Sequence, residues 1–138
     1  MTLTLEMAER ATGIEVLDYL DRQAEVPILT GIQRQGDVIV IPQRPGLVSA
    51  AKPITDAIPV VRGENGGNTH ALVADGPCTW AARERVSATE PDLGTLTVPE
   101  GSGAFLAHPE HGFLGIGPGQ YTIRRQVEEA DKARLVAD

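Results

Sequence analysis

The sequence predicts a mainly β domain, a small antiparallel β-barrel or β-sandwich packed against one N-terminal helix. Three observations lead there. Apolar residues recur in short runs, several with strict alternation and several dense in β-branched side chains, which is how half-buried and fully buried strands look. The 15 glycines and 10 prolines punctuate those runs instead of clustering, as expected of brief strands joined by tight turns. Helical spacing is confined to the first part of the chain.

The elements follow in order. Thr12-Gly13-Ile14-Glu15 has the form of a capping box, in which Thr12 accepts from backbone N–H groups and Glu15 reaches back. Ile14, Leu17 and Leu20 then make one apolar stripe, so a helix is expected over 13–23, ending before Pro27. An earlier turn over 5–10 is expected, separated from it by Gly13. Strands are expected over 28–34 and 37–41, parted by Gln35-Gly36, and then over 58–62, 69–74, 79–83 and 93–98. Asp75-Gly76-Pro77 reads as a tight turn. The clearest hairpin joins 104–107 to 113–116 through His108-Pro109-Glu110-His111-Gly112, where Pro109 suits a type I turn and Gly112 closes it. After Gly117-Pro118-Gly119 the run 120–127 alternates as a half-buried strand, and the end of the chain is polar enough for a short helix. About seven to nine strands result. Residues 1–138 read as one domain, with a helical segment at 1–26, a β-rich body at 27–128 and a polar tail at 129–138.

Charge narrows the partners. Lys and Arg total 12 against 19 Asp and Glu, a net charge of −7, which repels polyphosphates; the nearest basic pairs, Arg83/Arg85 and Arg124/Arg125, are mixed with acids. No nucleic-acid partner is expected. No basic amphipathic pattern or long apolar run points to a membrane. Cys78 is the single cysteine and residues 1–10 lack a basic, apolar leader pattern, so the expected compartment is cytoplasmic.

Three histidines carry the candidate chemistry. His108 and His111 share one loop with Glu110, and His70 follows the glycine-rich stretch Gly63-Glu64-Asn65-Gly66-Gly67-Asn68. Imidazole suits zinc, iron and nickel, and two or three histidines with a carboxylate form a recognised open site. The metal reading therefore takes His70, His108 and His111 as ligands, with Glu64 or Glu110 as fourth ligand or base. The plainer reading makes His-Pro-Glu-His-Gly a solvent-facing turn and His70 a strand residue bonded to backbone. Cys78 fits a buried small hydrophobe better than a nucleophile. The 63–68 loop lacks the lysine and the strand-to-helix setting of a phosphate cradle.

Thr69-His70-Ala71-Leu72, His108-Pro109-Glu110-His111-Gly112 and Pro118-Gly119-Gln120-Tyr121 through Arg125-Gln126-Val127-Glu128 together resemble a group of small uncharacterised bacterial and phage-type proteins. That resemblance implies no activity but draws attention to His70, His108, Glu110 and His111. Gly94 to Gly101 ahead of His108 also resembles the second motif of cupin barrels in its Gly, Pro and Gly. The closely spaced histidine pair stands in the later segment, where cupins place it in the earlier one. The expected function is a non-enzymatic binding or assembly module, phage-derived or oligomeric, contacting a protein partner or itself, with no cofactor. The alternative is a cupin-like metal-dependent enzyme using the histidine set.

Overall fold

The computed structural model describes residues 4–13, 25–61, 69–83 and 91–126. Among the described residues it has one helix, α1, which spans Leu5–Thr12 where the sequence suggested a turn over 5–10. Thr4 caps it, its hydroxyl accepting from the Met7 N–H at 3.3 Å. Gly13 ends it in the left-handed region at φ +72°, donating its N–H to Glu9 O. Thr12 is thus the last residue of α1. The rest of the expected 13–23 helix, and the expected tail helix, lie outside the described residues.

Among the described residues eleven strands follow, in two sheets. The first has the order β1 (Ile28–Leu29), β10 (Gly112–Ile116), β9 (Gly103–His108), β6 (His70–Asp75), β5 (Ile58–Val61). The second has the order β2 (Gln33–Gln35), β3 (Val38–Pro42), β11 (Gly119–Arg125), β8 (Asp92–Val98), β7 (Thr79–Ala82), β4 (Lys52–Pro53). Every pairing is antiparallel except β1 with β10. Neither sheet closes on itself, so the architecture is a sandwich and the barrel expectation is set aside.

Two differences from the sequence reading have clear causes. The run 28–34 is not one strand: β1 joins the first sheet, β2 the second, and residues 30–32 cross between them. Alternation carries no mark of a change of partner. β4 is a two-residue strand ending in proline on the outer edge beside β7, where the missing N–H costs nothing.

Period-two alternation builds the core. Val38 and Val40, Leu72, Leu96 and Val98, Ala104 and Leu106, Ile116, Tyr121 and Ile123 all bury themselves between the sheets. The other face of β9 and β10 is buried as well, since Phe105, Ala107 and Phe113 pack with Leu5 and Ala8 of α1 and with Val26. Thus β9, an unbroken apolar run in sequence, is covered on both faces. Among the described residues no helix is long and apolar enough to cross a membrane.

Candidate functional site: a histidine and glutamine cluster

At one end of the sandwich the inward positions change from apolar to polar. On β6, His70 shares the face of Leu72; on β9, His108 shares the face of Ala104 and Leu106. The β6–β9 register, Ala71 opposite Ala107, carries His70 opposite His108. On β2, Gln33 and Gln35 lie across from Val40 and Val38, so both glutamines also face inward. Gln35, His70 and His108 are three of the four buried polar side chains among the described residues; the fourth, Gln120, lies elsewhere and pairs its amide with both backbone groups of Gly46.

Hydrogen bonding fixes the roles. The Gln35 Nε2 donates to Leu106 O at 3.0 Å and to Gly112 O at 3.1 Å. Its Oε1 can then only accept, and it receives the His70 Nδ1–H at 3.0 Å. His108 has the opposite tautomer: its Nδ1 accepts the backbone N–H groups of Glu110 at 3.0 Å and His111 at 3.2 Å, which leaves the ring proton on Nε2. His108 therefore shapes the turn that carries Glu110 and His111. Neighbouring Gln33 donates from Nε2 to Gly115 O at 2.8 Å. Two glutamine side chains of the second sheet thus donate to backbone carbonyls of β10 in the first.

The three rings gather into one group. Ring centroids are 4.4 Å apart for His70 and His108, 4.5 Å for His108 and His111, and 6.2 Å for His70 and His111. Gly36, in the β2–β3 turn, sits against them at φ +57°; a Cβ there would lie 3.3 Å from His111 Nε2 and 3.4 Å from His70 Cε1. Glycine serves here twice, for the left-handed turn and for the close approach. Burial, then the neighbouring His108 and His111, hold His70 well below its ordinary value of 6.5, at about 4, with Asp37 opposing. The ring is neutral at physiological pH.

This arrangement corrects the plain expectation for the histidines. His70 and His108 are buried strand-end residues, and only His111 of the three is exposed. Glu110 is exposed in the turn, and Glu64 lies outside the described residues. Among the described residues no group of three His, Cys, Asp or Glu side chains is placed to hold a metal ion.

Residues 34–126 match a family model described as a domain of unknown function, DUF8820. The chain belongs to the DUF8820 family. The matched stretch of this DUF8820 domain begins one residue before Gln35 and includes all three histidines. No curated protein matches the chain, and no solved structure does. Beside the cluster, a groove of about 350 Å³ runs between β2 and β10, lined in part by Gln33, Arg34, Gln35, His111 and Phe113. Cys78 stands apart, buried, its Sγ donating to Gly103 O at 3.3 Å. Burial first, and then Asp75, raise its thiol above the usual range.

Sequence reasoning missed Gln33, Gln35 and Gly36 as site residues. It placed Gln35 in the turn, whereas the turn is Gly36-Asp37 and Gln35 is the last residue of β2. The signal was present: folding 33–35 back on 38–40 puts both glutamines beside valines that any core reading would bury.

Proposed function

We propose that this chain is a non-enzymatic protein-interaction module that associates with a second copy of itself along the edge formed by residues 27–35. The observation that supports the reading is the exposure of Ile28, Leu29 and Ile32, at 39%, 48% and 68%, on the segment that is outermost in both sheets. Strand edges in water are ordinarily blunted with charge, and three apolar side chains within five residues of an open edge invite pairing. An edge meeting its own copy about a two-fold axis satisfies both copies with the same set of interactions. The chemistry assembled inside is consistent with a structural role for the cluster, because the Gln35 amide and the Nδ1 atoms of His70 and His108 are engaged with one another and with backbone. Cys78, buried with a raised thiol pKa, is unsuited to nucleophilic attack.

Sedimentation equilibrium up to about 1 mM protein tests the reading, that ceiling reaching even weak complexes. A monomer–dimer equilibrium is expected that strengthens with salt, since each copy carries a net charge of −7 and added ions screen the repulsion. Leu29→Asp and Ile32→Asp should weaken it more than about tenfold, as expected when one apolar anchor is removed from the centre of an interface, with far-UV circular dichroism unchanged. A strict monomer at the highest concentration, or dimers indifferent to both substitutions, refutes it.

A further inference from the structure

We propose that the imidazole cluster is an acid-sensitive latch between the two sheets, closed while His108 is neutral and released when that ring takes up a proton. The latch rests on hydrogen-bond geometry and is independent of the self-association above. His108 Nδ1 accepts two backbone N–H groups, from Glu110 and His111. A neutral ring can do this with its proton on Nε2; an imidazolium has N–H on both nitrogens and accepts nothing. Protonating His108 therefore sets an N–H against two N–H groups and removes what holds the 108–112 turn in shape. Its charge would also arise with His70 and His111 centred 4.4 Å and 4.5 Å away.

The turn is tied to both sheets. Gly112 O, at its end, receives Gln35 of β2, and the same glutamine holds His70 of β6. His111 lies against Gly36 of the β2–β3 turn. Loosening 108–112 thus loosens the packing of β2–β3 in one sheet against β6–β9–β10 in the other, beside the groove between β2 and β10. The described charged and titratable groups around the rings are few. Asp37 of the β2–β3 turn favours a charged His70, and Glu110 lies exposed in the 108–112 turn. Arg34 of β2, a cation, donates from Nε to Gly36 O.

Amide hydrogen exchange on the full chain, corrected for intrinsic rates, tests the latch between about pH 7.5 and about pH 4.5, the range in which histidines titrate. The Glu110 and His111 amides are expected to lose protection by about tenfold or more, while Leu96 and Ile123, in the middle of the second sheet, keep theirs. His108→Asn supplies the decisive comparison: its Oδ1 can accept the same two N–H groups and cannot be protonated, so the turn should keep its protection throughout. Wild-type protection that persists at the acid end, or an Asn variant that loses it equally, overturns the proposal. Should the Asn variant fail to fold, the ring nitrogens of the wild type decide by ¹⁵N NMR. An unprotonated Nδ1 in His108 at about pH 7.5 that gains its proton as the turn amides lose protection supports the latch. A proton already on Nδ1 at that pH refutes it.

Discussion

Replacing Gln35 with leucine should be among the most damaging single changes to this fold, although glutamine is elsewhere a surface residue. The side chain makes three hydrogen bonds, to Leu106 O, Gly112 O and the His70 Nδ1–H, and is 5% exposed. Leucine matches its size but leaves a buried N–H and two buried carbonyls without that partner. An orphaned buried donor costs about 1–3 kcal/mol, and each carbonyl, having a second lone pair, about half a kilocalorie or more. Against this stands about 1 kcal/mol from burying apolar in place of polar atoms. The balance is a loss of about 1–3 kcal/mol, a sizeable share of the roughly 5–15 kcal/mol that typically separates folded from unfolded. Gln33→Leu is the internal comparison. Gln33 has one short bond, to Gly115 O, and partial access to water, so its loss should cost about 0.5–1 kcal/mol. Urea denaturation followed by the fluorescence of Trp80, the single and buried tryptophan, reads both. If Gln35→Leu costs no more than Gln33→Leu, the polar cluster does not hold the two sheets together at this end.

Three further outcomes are expected. His70 binds its proton less readily folded than unfolded, about 4 against 6.5, so its contribution is complete above pH 6.5 and is lost as the pH falls from there towards 4; the ceiling is about 3 kcal/mol, at about 1.4 kcal/mol per unit. The urea midpoint should fall over that window and less so in His70→Gln. Gly94→Ala should cost about 2–4 kcal/mol by overpacking, because its Cβ would lie 2.5 Å from Ala81 O and 2.6 Å from the Trp80 ring; Gly31→Ala, with nothing within 4 Å, should stay within about 0.5 kcal/mol. Cys78, fully buried with a raised thiol pKa, should resist a thiol reagent in the native state at about pH 7.5 and react at once in urea.

The strands were legible wherever one rule sufficed. Alternation over 120–125 and the density of Val and Ile over 38–41 are direct consequences of burying one face or two, and the turns at Gly76 and Gly112 declare themselves through residues that tolerate positive φ. What a local reading could not reach was partnership. Residues 28–29 and 33–35 look like one strand because each segment alone satisfies the pattern of a sheet edge, and only the pairing with β10 and with β3 separates them. Near the start of the chain a full helix stands where the sequence suggested only a turn over 5–10, and Gly13 in the left-handed region ends it; residues 14–23 of the second expected helix lie outside the described residues. A glycine between two candidate helices serves the first as a stop before it can serve the second as a start.

The candidate site shows the same division between residue type and residue pairing. Three histidines in a chain poor in aromatics are conspicuous, and the register of a simple antiparallel pair suffices to bring His70 opposite His108. Their role depends on protons that no spacing encodes. A histidine at the end of a strand followed two and three residues later by available backbone N–H groups can cap its own turn through Nδ1, as asparagine or aspartate does, and once it does so that nitrogen is closed to a metal. His70 faces the complementary constraint: Gln35 approaches with an oxygen because the amide nitrogen is already held by two carbonyls, so the proton must sit on Nδ1. Opposite tautomers on the adjacent rings of His70 and His108, each imposed by a neutral partner from a different part of the fold, explain how these two buried imidazoles can pack with centroids 4.4 Å apart, and why acid should part them.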